Sequence, residues 1–407
     1  SLIYMENVSI LDQIINYQKA EEVANLDAVE IIGNLFNELS DRERDVLMRR
    51  YGLSNEGKET LEGIGKVHNL TRERIRQIET AGVKRLQQLK NLDDYVKNLK
   101  RIILQLLEEH GGLMEKNYLL DILASFSSNG FKADPQVESK HKNYLNFLIT
   151  KLLHNEFEEV ISSKHFLSSY KLKYQELYHL EELTEELLQK ISEAKKILAT
   201  EELIDIICSL ESYKKHEDKL TTKNTLDISN VLKFDLYDEN SEIINKNKTL
   251  YSILRAAKKI EQNKFGHWGI HNWREIKPKT INDKIYLVLK NSGEPMHFEQ
   301  IAEQINKIGF DGKKANAATV HNELILDDKY ILVGRGLYGL KEWGYKKGTV
   351  VDVIEEILKE ADQSLSRDEI IAKVLEKRYV KKATIILALM NKDRFLKADG
   401  KYSLIKA

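Results

Sequence analysis

The sequence predicts a mainly α protein with small β-hairpin wings: a helix-turn-helix module followed by tandem winged helices. Three observations carry this. Only 3 prolines and 20 glycines occur in 407 residues, which favours helices with short connections. Apolar residues recur at helical spacing through most of the chain. A stretch near the C-terminus is repeated: Ala318-Thr319-Val320, Leu324, Lys329-Tyr330 and Gly336-Leu337-Tyr338-Gly339-Leu340 return as Ala383-Thr384-Ile385, Leu389, Arg394-Phe395 and Gly400-Lys401-Tyr402-Ser403-Leu404.

The length implies several cores. Six segments are expected: packing helices at 1–37, a helix-turn-helix at 38–95, winged helices at 96–173 and 174–276, the latter with an irregular insert, and winged helices at 277–345 and 346–407. Residues 42% hydrophobic suffice to fill these cores, and 31% charged with a net −1 says nothing about nucleic acid until the charges are placed. Cys208 is the only cysteine, which excludes an intrachain disulfide or a thiolate zinc cluster; in an apolar run from Leu203 it reads as a buried small side chain. No apolar run approaches a membrane span, and Ser1 to Val23 carries acids unlike a secretory leader. A soluble, cytoplasmic protein is expected.

Ile14, Ile15, Val23, Leu26, Val29, Ile32, Leu35 and Phe36 fall at helical spacing and lead into the first module. Ser40 to Glu43 spells a capping box, in which Ser40 accepts from the Glu43 amide and Glu43 reaches back. The helix it opens carries Val46, Leu47 and Tyr51 and stops at Gly52; Asn55-Glu56-Gly57-Lys58 reads as a turn. From Leu61 the spacing meets four steric demands of a helix-turn-helix. Gly65 stands where two helices cross and a Cβ would collide. Asn69 stands in the turn, where a left-handed conformation is needed. Thr71 caps the second helix. Ile75 and Ile78 face the first.

Beyond Lys100, each copy of the C-terminal repeat reads as a helix, a strand, a tight Gly turn and a second strand. Glu299-Gln300-Ile301-Ala302 and Asp368-Glu369-Ile370-Ile371 occupy matching positions upstream, read as first helices, the latter after a Ser366 capping box. A weaker unit has Tyr144 to Leu153 as helix and Phe157 to Ser169 as hairpin. A fourth ends on a hairpin tip at Phe265 to Ile270, and 218–248 has no assigned structure.

The residues Leu39-Ser40-Asp41-Arg42-Glu43-Arg44-Asp45-Val46-Leu47-Met48-Arg49-Arg50-Tyr51-Gly52-Leu53, Thr60-Leu61-Glu62-Gly63-Ile64-Gly65-Lys66 and Leu70-Thr71-Arg72-Glu73-Arg74-Ile75-Arg76-Gln77-Ile78-Glu79 closely resemble region 4 of bacterial primary sigma factors. That region reads the −35 promoter element. The resemblance covers about 35–92. Ile301-Ala302 with Val333-Gly334-Arg335-Gly336-Leu337-Tyr338-Gly339-Leu340 resembles the HARE-HTH winged helix, at about 280–342, also found in the delta subunit of Gram-positive RNA polymerase. Nothing resembles the sigma regions that melt the −10 element, so the protein alone is not expected to open promoter DNA.

The second helix of the first module and its end carry Arg72, Arg74, Arg76, Lys84, Arg85 and Lys90 against Glu73 and Glu79, a local excess of +4. The resemblance makes Arg72, Glu73 and Gln77 the base readers: Arg72 and Gln77 suit guanine and adenine edges, and Glu73 can accept from cytosine N4. Thr71, Arg74, Arg76, Lys84 and Arg85 are the expected phosphate contacts. A solvated charged helix face is the bland alternative, which the spacing and the resemblance outweigh.

Trp268, Trp273, Tyr338, Trp343 and Tyr402 are expected to pack wings onto helices rather than stack on bases, while Arg335 and Lys341 are candidate wing contacts. His267 and His271 are read as separated by a hairpin and lack carboxylate partners, so no metal site is expected. Glu138-Ser139-Lys140 after Asp134-Pro135 has a superficial likeness to a nuclease acid–lysine set, in the wrong order and spacing. No phosphate-binding Gly loop and no Ser/His/Asp arrangement is present, so no enzyme, cofactor or small-molecule substrate is expected. The expected partners are double-stranded promoter DNA and RNA polymerase core, with no membrane. The rival readings are a polymerase-bound adaptor whose first module holds protein, and a subunit of a DNA modification or restriction system.

Overall fold

The computed structural model describes residues 27–54, 57–126, 135–153, 155–222, 224–345, 348–361, 363–398 and 400–405. The leader positions Ile14, Ile15, Val23 and Leu26, with Asn55, Glu56 and Asp134, lie outside them. The described chain divides into two compact units, residues 27–262 with 266–271, and 263–265 with 272–405.

The first unit opens with α1 (Ala28–Phe36), capped by the Asp27 carboxylate. Ser40 then starts α2 (Asp41–Tyr51) with the expected capping box, and Gly52 ends it with φ 66°. The α3 (Leu61–His68) and α4 (Arg72–Gln87) helices follow, joined by a turn at Asn69. Val46, Ile64 and Ile75 form their buried centre, with Leu61, Leu70 and Ile78 packed around it.

Next come α5 (Leu92–Glu109), β1 (Leu113–Glu115), α6 (Lys116–Phe126), α7 (Pro135–Phe147) with a π-turn at Leu148–Leu152, β2 (Phe157–Val160) and β3 (Ser169–Leu172). The sheet order β1-β3-β2 is that of a winged helix, with α7 as its third helix. A second winged helix is built from α8 (Tyr178–Ala194), α9 (Thr200–Ser209), α13 (Lys248–Ala256), β4 (Ile260–Gln262) and β5 (Trp268–Ile270). Leu198 bridges Trp268 in place of a first strand. Between its second and third helices lie α10 (Glu211–Lys215), α11 (Glu217–Leu220), a 3-10 turn at Ser229–Val231 and α12 (Ser241–Lys246). The unassigned 218–248 stretch is therefore irregular chain interrupted by short helical turns.

Both third helices of this unit are covered by the module before them. The Tyr144 hydroxyl of α7 donates to the Leu53 carbonyl at 2.7 Å and Asn143 to that of Gly52 at 3.1 Å. The Phe147 ring meets Phe36 and Tyr51 at centroid distances of 5.9 and 4.9 Å. On α13, Lys248 to Leu254 and Ala256 are all buried, and the Ser252 hydroxyl donates to the Leu113 carbonyl at 2.6 Å. Lys248 has no exposed side-chain surface; its ammonium meets Glu109 at 2.6 Å and donates to the Leu226 carbonyl. A buried charge is tolerable only when so partnered.

The second unit holds two winged helices. One comprises α14 (Ile281–Ser292), β6 (Met296–His297), α15 (Phe298–Ile308), α16 (Ala317–Leu326), β7 (Tyr330–Gly334) and β8 (Leu337–Leu340). The other comprises α17 (Val350–Ala361), β9 (Leu365–Ser366), α18 (Arg367–Lys377), α19 (Lys382–Leu389), β10 (Phe395–Ala398) and β11 (Lys401–Leu404). Their sheets share one strand order, β6-β8-β7 and β9-β11-β10. Gly336 and Gly400 sit at equivalent turns with φ 69° and 78°, where a side chain would strain the backbone. Tyr338 is buried in the core of its unit, whereas Tyr402 is half-buried beside its own.

Three expectations are corrected here. The segments from Glu299 and Asp368 lie in second helices, α15 and α18, because α14 and α17 precede them. Cys208 is exposed: the buried side of α9 runs through Leu203, Ile204 and Ile207, and the next residue turns outward. A strand, β5, and not a hairpin separates His267 from His271.

Candidate nucleic-acid interface

The geometry of the first module begins with a glycine. A Cβ on Gly65 would lie 2.6 Å from the Leu70 carbonyl oxygen, and the Leu70 amide donates back to the Gly65 carbonyl at 2.8 Å. The turn therefore closes on bare backbone. Asn69 makes it with φ 53°, a left-handed conformation that few residues other than Gly adopt readily. Thr71 then caps α4, its hydroxyl accepting from the Arg74 amide at 3.2 Å. Ile75, Gly82 and Leu86 bury one side of α4. At 3.6 residues per turn the opposite stripe holds Glu73, Gln77 and Lys84, flanked by Arg76 on one side and Arg74 on the other. Thr71, Arg72, Glu73, Arg74, Arg76, Gln77 and Lys84 are all exposed.

Two of the expected base readers are held by two of the expected phosphate contacts. Arg76 donates to both carboxylate oxygens of Glu73, at 2.9 and 2.7 Å, and holds that carboxyl below its usual range. Arg74 donates to the Gln77 side-chain oxygen at 3.0 Å. Arg85 is directed elsewhere, pairing at 3.0 Å with Glu43, the capping-box carboxylate of α2. Burial pushes the Glu43 carboxyl up, but the Ser40 hydroxyl and amide and the Arg85 guanidinium together bring it below its ordinary value. Arg85 thus ties α4 to α2 as well as lying among the basic residues.

The other side of the module is anchored by contacts that sequence reasoning did not foresee. The Tyr51 hydroxyl donates to Glu79 at 2.7 Å, and burial together with that carboxylate raises its pKa. Gln87 donates to the Lys151 carbonyl in the π-turn at 2.7 Å, while the Lys151 ammonium lies 5.6 Å from the Tyr51 ring centre. Partners so far apart in the chain leave no local pattern to announce them.

Arg335 and Lys341 are exposed in the second unit, at the β7–β8 turn and just after β8. Trp268 is buried, its indole N–H donating to Thr200 at 2.9 Å, and Tyr338 is likewise buried, so both pack rather than stack on bases. Glu138 of α7 pairs with Lys142 at 2.6 Å. Among the described residues no group of three or more His, Cys, Asp or Glu side chains is gathered as a metal would require, and no helix is long and apolar enough to cross a membrane.

The fold and this exposed, capped, basic helix define a helix-turn-helix module joined to winged helices. Residues 35–88 match the family Sigma-70, region 4, and residues 279–343 match HARE-HTH, a helix-turn-helix domain family whose description includes ASXL and restriction endonucleases. Similar proteins include the RNA polymerase sigma factors SigA of Microcystis aeruginosa and of Synechocystis sp., each 48% identical over 67 residues, 16% of this chain and 16% of theirs. SigA of Nostoc sp. is 50% identical over 58 residues, 14% of this chain and 15% of its own. The chain spans about a sixth of the length of these curated relatives. No solved structure matches it.

Proposed function

We propose that this chain is a transcription factor that reads −35-type promoter DNA with α4 and meets RNA polymerase core. One observation carries the reading: the capped N-terminal half of α4 is exposed and offers Glu73 and Gln77 from one stripe, with Arg72 at the helix start and the Arg74 and Arg76 guanidinium groups on the two flanks. In the major groove Arg72 and Gln77 donate to guanine and adenine edges while Glu73 accepts from cytosine N4. Arg74, Arg76 and Lys84 take phosphates, and the free amides behind Thr71 add a further anion contact. The Arg76–Glu73 and Arg74–Gln77 pairs are solvent-exposed, so exchanging them for DNA partners costs little.

RNA polymerase follows from the similarity to proteins named as its sigma factors. The adaptor alternative would make no use of the Arg72, Glu73 and Gln77 set. Among the described residues from 27 to 90, Val67 is the large apolar side chain left exposed, while Phe36, Tyr51 and Leu53 face the first winged helix. Reading DNA requires no bond-making step, so the role proposed for this module is binding alone.

Titration of a −35-type duplex and a random duplex tests this. Arg72→Ala and Gln77→Ala should each cost ~1–3 kcal/mol on the preferred duplex and little on the random one. Equal losses on both duplexes would refute base reading.

A further inference from the structure

The exposed faces of the third helices in the second unit differ from α4 in kind. On α16 the outward stripe is Ala318, Asn322 and Ile325, with Thr319 and Leu326 beside it; on α19 it is Ala383, Leu387 and Met390, with Thr384 beside it. Ile325 and Leu326 are 62% and 80% exposed, and Leu387 and Met390 are 73% and 68% exposed. Leu332 of β7 and Leu396 of β10 are exposed as well. No lysine or arginine lies within α16, and α19 has only Lys382. A helix that grips phosphates would not be built so. Val320 with Leu324, and Ile385 with Leu389, already supply the cores, so folding does not explain why the repeat keeps Ala, Thr and a large apolar residue on the outside.

Aligning the repeat shows opposite charge around the two stripes. Glu323 and Asp327 of α16 and its cap correspond to Ala388 and Lys392, while Lys381 and Lys382 at the start of α19 correspond to Asn316 and Ala317. Asn282 donates to both Glu323 and Asp327 without neutralising them, and Lys329 pairs with Asp327 at 3.1 Å. Asp328 adds an acid beyond the cap, and Lys313 and Lys314 lie in the loop before α16. The end of α16 is therefore acidic and the start of α19 basic. An antiparallel pairing sets the acidic end of α16 against the basic start of α19, and the C-terminus of one helix dipole against the N-terminus of the other, with the mixed pair Lys392 and Asp393 left near Lys313 and Lys314 at the far end. Elsewhere in this chain third helices are already protein-docking elements, as α7 and α13 show.

We propose that the α16 face of one copy docks antiparallel on the α19 face of a second copy, a head-to-tail self-association. Such a contact uses different surfaces on its two sides, so it can propagate or close into a ring.

Sedimentation of the full chain across a micromolar concentration series tests this, with Ile325→Glu and Leu387→Glu as variants. Wild type should associate, and each variant alone should associate at least about tenfold more weakly, because a charge replaces a central apolar anchor. An equimolar mixture should form a dimer and stop there, since one variant keeps an intact α19 face and the other an intact α16 face. Both positions are exposed, so thermal unfolding should be unchanged. Monomeric wild type at every concentration would overturn the proposal. So would a mixture that forms no dimer, or a variant that self-associates like wild type. Lost DNA affinity with an unchanged association state would assign these faces to DNA instead.

Discussion

Replacing Gly65 by Ala adds one methyl group at the point where α3 meets the turn. Its carbon would lie 2.6 Å from the Leu70 carbonyl oxygen. An ordinary van der Waals approach starts near 3.4 Å, so the two backbones must separate by about 0.8 Å, and no flexible side chain is present to absorb it. The Leu70 N–H donating to the Gly65 carbonyl resists that motion. Overpacking of this sort costs ~1–3 kcal/mol. The gain of helix propensity from Gly to Ala, roughly 1 kcal/mol, offsets part of it. The displaced residue is next to Thr71 and two before Arg72, so the strain reaches the reading end of α4. Bidentate contacts lose their geometry over a few tenths of an ångström, and affinity for a −35-type duplex should fall about tenfold or more. Gly63→Ala is the control on the same helix: its Cβ would meet the Thr60 hydroxyl at 3.3 Å, a side chain, so stability should hold or rise slightly. Urea unfolding and fluorescence anisotropy on the labelled duplex measure both effects. Wild-type stability and affinity in Gly65→Ala would refute the steric argument.

Further outcomes follow from other parts of the molecule. Arg74→Ala should weaken binding to all sequences alike and flatten the log–log salt dependence by about 0.9; an unchanged slope would remove its phosphate role. Burial holds the His110 imidazole at about 4, down from 6.5, with Leu106 and Tyr118 as its hydrogen-bond partners. Between those values the unfolded chain binds the proton and the folded chain does not, so folding stability should fall by about 3 kcal/mol as pH drops from 6.5 to 4. Chemical denaturation at stepped pH should show that decline shrinking in His110→Gln; equal declines would refute the assignment. Tyr338→Ala should destabilise its winged helix by ~3 kcal/mol or more while duplex affinity stays intact. Tyr402→Ala should cost less, since Tyr402 is half-buried. A Tyr338→Ala protein that keeps its melting temperature but loses DNA would make that ring a base-stacking residue.

What could be read from the sequence was what neighbours in sequence decide. Gly65, Asn69, Thr71 and Ile75 answer steric demands set within a dozen residues, and the structure places each as the spacing requires. The C-terminal repeat was visible because a third helix and a hairpin recur at nearly fixed distance. The matching first helices carry a local signal too, in the helical spacing of Ile285, Val288 and Leu289 and of Val353, Ile354, Ile357 and Leu358. Cys208 was misplaced by reading an apolar run as uniformly inward, when helical phase turns it out after Ile207. The partners of Lys248 could not be read: Glu109 lies 139 residues away, and a lysine destined for burial looks in sequence like any other. For the same reason nothing in the Tyr144 to Leu153 helix marks Tyr144 and Phe147 as the residues that close the module before it.

The covered third helices make the first unit a single cassette. Cutting the chain between the reading module and the first winged helix would strip Tyr51, Leu53 and Phe36 of the side chains that shield them, leaving a fragment with a sticky face. The face of Glu73, Gln77 and Lys84 points away from all of these contacts. Its residues can be exchanged with little consequence for folding, so under the proposed function a few substitutions on one stripe would retarget the same body to a different DNA sequence. The exposed stripe is free to drift here while the architecture that carries it stays fixed.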